Sequence, residues 1–450
     1  MSNRESLGSR LGFIMLSVGC AVGLGNVWRF PFVAGKYGGG MFVLLYLIFL
    51  ALLGFPILTM ELSVGRMGQA NLIGSFRNLT DNRRRWVLPA KLVFIGNFIL
   101  MIYYTTVSGW LLAYAKNYID GSLVNVSASE VGAAFEQLTG TPSVSGGYML
   151  LTVFLATVCC AGGLRNGVEK VVKYMMGALF VLIAVLAGYA LTTKGCAEGL
   201  TFYLKPDWNN FISAPGETVF AAMGQAFFTL SIGVGSMAIF GSYIGKERRL
   251  AGESVIIIAL DTLIAFMAGM IIFPICFSYG VGVNSGPGLI FVSLPNIFNN
   301  MAGGRFWGAL FFIFLSLAAL TTVVAVFENL IAFFIDEVKL PRKAAALITG
   351  VGVAIFSLPC VFGFNIWKNV HPLGGNSSIL DLEDFLVSQN LLPIGSLLIV
   401  LYCALNWQAF TQETNTGKGV LFPAWMKNYC RFILPLIVIT IFIWGYIQFF

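Results

Sequence analysis

The stretch Gly19-Cys20-Ala21-Val22-Gly23-Leu24-Gly25-Asn26 decides how this chain is read. It sits in the middle of an apolar run long enough to cross a bilayer, which takes about 20 residues. Three glycines interrupt that run within eight positions. A second stretch, Thr229-Leu230-Ser231-Ile232-Gly233-Val234-Gly235-Ser236, interrupts the sixth such run in the same way. First and sixth are the same place in two successive sets of five. Backbone that unwinds at membrane depth must have its N–H and C=O groups satisfied, and a bound ion and substrate can do that. Paired interrupted helices therefore point to a secondary transporter built from inverted repeats. The competing reading is that glycine is a common packing residue in membrane helices. The matched placement favours the transporter.

Composition agrees with a membrane setting. Of 450 residues, 58% are hydrophobic and only 10% are charged. Mean hydropathy is +0.84. A soluble domain with so few charges could not cover its surface. Disorder needs low hydrophobicity and high charge, so it is excluded. The net charge of +7 comes from scattered Lys and Arg, with no basic helix or aromatic platform, and nucleic acid is not an expected partner. The eight cysteines show no paired metal spacing. The single His371 falls in a polar loop, which leaves no basis for His-centred metal or nucleophile chemistry. No nucleophile–base pair, metal cluster or phosphate loop suggests an enzyme.

Eleven apolar runs are predicted to span, near 11–35, 39–64, 88–117, 148–163, 168–192, 218–243, 252–281, 305–335, 343–364, 380–408 and 429–449. Polar inserts separate them at 119–147, 194–217, 284–304 and 366–380. The predicted organisation is an N-terminal cytoplasmic segment 1–10, a first five-helix repeat 11–193, an outer loop 194–217, a second, inverted repeat 218–408, a cytoplasmic loop 409–428 and a final helix 429–450. Most Lys and Arg, Arg66 among them, fall on one side, which the positive-inside rule makes cytoplasmic. The N-terminus is then inside and the C-terminus outside. The first run continues well past the length of a signal-peptide core, so no cleavable signal is expected. A bacterial inner membrane is the expected location.

Charges within spans are costly and mark function. They are Arg29, Glu61, Asp261, Glu328 and Asp384. Arg29 and Asp384 could face each other across a vestibule as a closable gate, or be two solvated charges near the outer surface. Glu61 can accept from freed N–H groups of an unwound helix. Asp261 lies mid-run and needs a cation or a strong donor. Glu328, nearer the inner end, can be explained by packing alone. Thr321 and Thr322 offer hard oxygens of the kind sodium takes, though Thr in membrane helices usually bonds its own backbone.

The motif Gly23-Leu24-Gly25-Asn26-Val27-Trp28-Arg29-Phe30-Pro31, with Gly38-Gly39-Gly40, Glu61, Gly65-Arg66, Phe227 to Ser231 and Pro295 to Gly304, resembles the neurotransmitter:sodium symporter family. The resemblance runs from about Arg4 to the last helix, and in helix number it is closest to the bacterial hydrophobic amino-acid transporters. It implies an all-α membrane protein with the 5+5 inverted-repeat (LeuT-type) fold, helices 1 and 6 broken. It implies a first sodium site from the Ala21 carbonyl, Asn26, Thr229 and Asp261, and a second from the Gly19, Val22 and Ala318 carbonyls with Thr321 and Thr322. The amino-acid carboxylate would meet the N–H groups near Leu24 and Gly25 and the Tyr104 hydroxyl, as the N-terminal end of a half helix favours an anion. The ammonium would meet carbonyls of the breaks, including Phe228 and Ser231. Arg29 and Asp384 would form the outer gate, with Phe228 and Tyr104 beneath. Arg4, Asp336 and Tyr243 would form the inner gate. Family members often carry a Trp shortly after the inner-gate Arg, where this chain has Leu7.

The resemblance also bears on ions and substrate. Animal members have Asn where Asp261 stands, and they bind chloride nearby. Here the surroundings of that place would be Tyr46, Gln225, Thr229 and Ser231, with Ala265 where a chloride-binding Ser would be. A fixed carboxylate at Asp261 could supply the charge chloride supplies elsewhere, so chloride independence is expected; the alternative is that Asp261 is only a stronger sodium ligand. The side-chain pocket would be lined by Cys20, Leu100, Val234, Thr322, Val323 and Val326, with Phe228 and Tyr104. None is charged. The expectation is a sodium-coupled importer of neutral hydrophobic or aromatic L-amino acids that uses two sodium ions, works in the lipid bilayer and carries out no covalent chemistry. The alternatives are a sodium- or proton-coupled carrier of another small solute such as an amine, and a non-transporting amino-acid sensor.

Overall fold

Glycine, proline and a few caps set the helix boundaries. The computed structural model describes residues 5–81, 83–282 and 288–449. Helix α1, Arg10–Ala21, starts at Ser9, whose hydroxyl accepts from the Gly12 N–H at 2.9 Å. It stops where Val22 turns extended, with φ −71° and ψ 102°. Helix α2, Gly25–Lys36, resumes at an angle of 55°. Its first turn is wide, with the Phe30 N–H reaching five residues back to the Gly25 carbonyl.

The remaining spans are α3 (Gly40–Gly68), α4 (Arg84–Asp120), α5 (Pro142–Ala161), α6 (Leu164–Ala190), the broken pair α7 (Pro215–Thr229) and α8 (Ser236–Gly241), α9 (Leu250–Tyr279), α10 (Gly304–Asp336), α11 (Arg342–Phe362), α12 (Ile379–Leu405) and α13 (Met426–Ile447). Among the described residues nine helices are long and apolar enough to span, and α1–α2 makes a tenth. The pair α7–α8 falls in the sixth expected run, and both breaks lie in the places the sequence indicated. Between α7 and α8 the backbone takes positive φ at Ser231 (49°), Gly233 (86°) and Gly235 (80°). Only glycine adopts such angles cheaply, so the helix cannot continue there.

Span limits differ from expectation by up to six residues. The third span extends to 84–120. The fourth covers 142–161, beginning six residues before the apolar run, because Pro142 occupies the first turn, where its missing N–H costs nothing. The inserts are not plain loops. Insert 119–147 holds the helix Ala128–Gly140, closed by a Ser127–Glu130 capping box whose hydrogen bonds hold the Glu130 carboxyl below the usual range. Insert 194–217 holds Cys196–Leu204, and 289–300 is a helical cap with Phe291, Leu294 and Phe298 buried.

Helix α10 is the most buried span and packs on α1, α4, α5 and α6, so the core lies around it. Helix α13 is the least buried and presents Leu436, Ile443 and Ile447 outward, as a lipid-facing helix does. Small residues permit the closest crossings. A Cβ on Gly65 of α3 would lie 1.6 Å from the Ala238 carbonyl oxygen, and one on Gly241 would lie 2.2 Å from that of Leu62. The half helix α8 is thereby pressed onto α3. Arg66, counted among the cytoplasmic-side charges, is buried; its Nε meets Glu413 Oε1 at 2.6 Å and its Nη1 donates to the Arg248 carbonyl at 2.8 Å. A charge removed from water needs such partners.

Candidate functional site

The two breaks face each other and are tied together. Ser231 Oγ donates to the Cys20 carbonyl at 3.2 Å, and Gln225 Nε2 donates to the Gly25 carbonyl at 3.0 Å. Glu61 accepts the freed N–H groups of the sixth-span break, from Gly233 at 2.7 Å and Met237 at 3.2 Å. The carboxylate thus does for the half helix what an N-cap does in water.

Asp261 joins the breaks from a third side. Its Oδ1 accepts from Asn26 Nδ2 at 2.8 Å and its Oδ2 accepts from Thr229 Oγ1 at 3.1 Å. All three residues are buried. Beside them Tyr46, Gln225 and Thr262 each keep a buried oxygen with no hydrogen-bond partner among the described residues. Ala265 lies one turn along α9 from Asp261 and is fully buried. Ser231 lines the central pocket, where a substrate contact was expected, and its hydroxyl is taken by the Cys20 carbonyl.

A second set of oxygens gathers against α10. Thr322 Oγ1 lies 3.2 Å from the Gly19 carbonyl, 3.1 Å from that of Val22 and 3.3 Å from that of Ala318. Thr321 Oγ1 donates to the Ala318 carbonyl at 2.9 Å. One hydroxyl proton cannot serve three carbonyls, so this cluster of oxygens is rich in lone pairs. Hard oxygen ligands with little net charge suit a small monovalent cation.

Between these clusters lies a pocket of about 40 Å³ lined by Cys20, Ala21, Gly23, Gly25, Leu100, Tyr104, Phe228, Thr229, Ser231, Val234, Thr322, Val387 and Leu392. No lining side chain is charged. The Leu24 N–H donates to the Tyr104 hydroxyl at 3.1 Å. Glycine is needed at 23, because a Cβ there would sit 2.4 Å from Tyr104 Oη and 2.8 Å from Thr322 Oγ1. Val323 and Val326, expected in the wall, are buried in the core instead. Val323 is turned about 100° from Thr322 and Val326 is one turn further along. Leu24 lines the vestibule above rather than the pocket itself. Val387 and Leu392 were not anticipated; an apolar residue in an apolar helix carries no mark of facing a site.

Above Phe228 opens a vestibule of about 240 Å³ whose lining includes Trp28, Arg29, Tyr103, Asp381 and Asp384. Arg29 and Asp384 share it, as expected of an outer gate. Among the described residues no ion pair joins them. The Arg29 guanidinium lies 4.3 Å over the Phe228 ring, and Asp384 accepts from Tyr103 Oη at 3.0 Å and Ser388 Oγ at 2.8 Å. A cation–π contact and neutral donors hold the two charges on either side of the vestibule.

At the opposite end Arg4 lies outside the described residues. Asp336 accepts from the Asn71 N–H at 2.7 Å. Tyr243 Oη donates to Glu328 Oε1 at 2.8 Å, and Glu328 is paired with Arg342 at 2.7 Å, which also holds Glu5 at 2.6 Å. Glu328 is therefore part of a charged cluster at this end, beyond mere packing. Leu7 packs against the core. The carboxylate of Glu169 receives the Gly8 N–H at 2.6 Å and Ser9 Oγ at 2.7 Å, fixing the entry into α1.

The family model for sodium:neurotransmitter symporters matches residues 4–131 and 136–450. The chain belongs to this family. Its members are transporters, not enzymes. The symporter relatives include a protein of Haemophilus influenzae described as an uncharacterized sodium-dependent transporter, 34% identical over 457 residues and covering 98% of each chain. The uncharacterized sodium-dependent transporter YhdH of Bacillus subtilis is 32% identical over 441 residues, covering 97% of this chain and 96% of its own. Among solved structures, that of MhsT in complex with L-phenylalanine superimposes with a TM-score of 0.87 at 37% identity, over 98% of this chain and 99% of the other. The fold is that of the family, with inverted repeats and broken first and sixth spans, and the protein is a sodium-dependent symporter.

Proposed function

We infer that the protein imports neutral hydrophobic and aromatic L-amino acids by alternating access, driven by two sodium ions and without a need for chloride. The charge distribution of the pocket carries this reading. One end offers the N–H groups of the first break and the Tyr104 hydroxyl, suited to a carboxylate; carbonyls of the breaks, including Phe228, suit the ammonium; the far end is aliphatic. A cationic amine without a carboxylate would find no acid among the lining residues. The phenylalanine bound to the related MhsT supports the same class.

In this reading Ala21, Asn26, Thr229 and Asp261 hold the first sodium with the substrate carboxylate. Gly19, Val22, Ala318, Thr321 and Thr322 hold the second. Sodium and substrate organise the same broken helices, which couples their movements. Asp261 supplies a permanent negative charge beside the first ion, in place of chloride. Arg29 and Asp384 close the outer side over Phe228; Arg4, Asp336 and Tyr243 close the inner side. The repeats run over 11–193 and 218–408, in a bacterial inner membrane, with the N-terminus cytoplasmic and the C-terminus outside.

The test is binding of radiolabelled Leu and Trp to purified protein in sodium chloride, sodium gluconate and potassium chloride. Binding in both sodium buffers and not in potassium is expected. A chloride requirement refutes the role given to Asp261. No binding of either amino acid in sodium refutes the substrate class.

A further inference from the structure

The aliphatic end of the pocket is built by two pairs of residues. Leu100 and Val234 come from α4 and the sixth-span break; Val387 and Leu392 come from α12. All four are at least nine-tenths buried. Local backbone brings the α12 pair in. Between Asp384 and Leu392 the helix widens, with the Leu392 N–H bonding five residues back to the Val387 carbonyl. Such wide turns re-aim side chains and occur often at functional sites.

The position of α12 is also fixed. A Cβ on Gly395 would lie 1.8 Å from the Gly233 carbonyl oxygen, and a Cβ on Gly233 would lie 2.3 Å from that of Leu392. Backbone touches backbone at this crossing. Val387 and Leu392 cannot withdraw without displacing the break itself, because packed interiors do not yield continuously.

We propose that Val387 and Leu392 form the end wall that sets which side-chain length the transporter accepts. The inference rests on the amino-acid reading of the pocket. A short substrate side chain leaves a gap before Val387; a long one reaches α12 and makes its last contacts there. Shortening the wall favours large substrates and lengthening it favours small ones. One methylene in an apolar pocket is worth about 10-fold or more in discrimination.

The test measures sodium-dependent dissociation constants for Ala, Val, Leu, Phe and Trp on the full-length protein and on V387A, V387L and L392A. V387A and L392A are expected to move the Trp-to-Leu ratio by about 10-fold toward Trp. V387L is expected to move it toward the smaller substrate. Sodium-induced thermal stabilisation of each variant serves as the check on folding, and any folded variant of the three decides the matter. Ratios within twofold of the unaltered protein, in variants that still respond to sodium, overturn the proposal alone. Failure of the unaltered protein to bind any of the five refutes the amino-acid reading, and this inference with it.

Discussion

Replacing Glu61 by Gln tests how the sixth-span break is held. Glu61 is fully buried, and each carboxylate oxygen takes one backbone N–H, from Gly233 at 2.7 Å and from Met237 at 3.2 Å. Hydrogen bonds to a charged acceptor are worth roughly 1.5–3 kcal/mol each. Gln keeps one oxygen and turns an NH₂ group toward the other N–H. The shorter bond to Gly233 is the one the variant keeps, so the Met237 N–H loses its acceptor. The cost is about 2 kcal/mol, near the lower end because the lost bond is the longer. If all of it falls on the binding-competent arrangement, the apparent affinity drops by up to about 30-fold. The assay is a sodium titration of labelled Trp binding to purified E61Q, with thermal unfolding alongside. Affinity within threefold of the unaltered protein and an unchanged Tm would refute the reasoning. That result would mean that Glu61 is already protonated in the folded protein, since a neutral acid presents the break with nearly what an amide does.

Asp261→Asn removes the charge shared by Asn26 and Thr229; sodium affinity is expected to fall by about tenfold, some 1.4 kcal/mol, and to recover in part in sodium chloride relative to sodium gluconate. Thr322→Val keeps the shape but deletes the hydroxyl that meets three carbonyls, so the sodium half-saturation of binding is expected to rise about 5-fold for the loss of roughly 1 kcal/mol, with apolar packing and Tm little changed. Gly23→Ala puts a methyl 2.4 Å from Tyr104 Oη; uptake into proteoliposomes is expected to be lost while the protein still purifies as a folded species, because the strain of about 1–3 kcal/mol falls on the pocket alone.

Much of the site could be read before the fold was known, and the reason is physical. Glu61 and Asp261 are charged groups in spans otherwise fit for lipid, and a charge there must have a partner; Asn26 was marked only through the family resemblance, and Thr321 and Thr322 mainly through it. The glycines at 23, 25, 233 and 235 stand where a continuous helix would have been the cheaper choice. Other parts were hidden. Arg66 and Glu413 are 347 residues apart, and their pairing leaves no trace in either local pattern. Glu328 could not be told from a packing acid until Arg342 and Tyr243 closed around it. Val323 and Val326, which the resemblance put in the wall, are absent from the pocket lining, and an apolar residue in an apolar helix carries no mark of the face it presents.

The sequence by itself determined the helical membrane fold, the two breaks and the buried charges beside them, since the cost of an unsatisfied group in a bilayer is local and falls on the residue that carries it. The tertiary structure decided which faces meet: that Arg66 pairs with Glu413, that Arg29 lies over Phe228 rather than against Asp384, and that α12 supplies Val387 and Leu392 to the pocket. Lipid tails are as apolar as leucine, so in a membrane helix hydrophobicity does not distinguish the side that faces lipid from the side that faces protein.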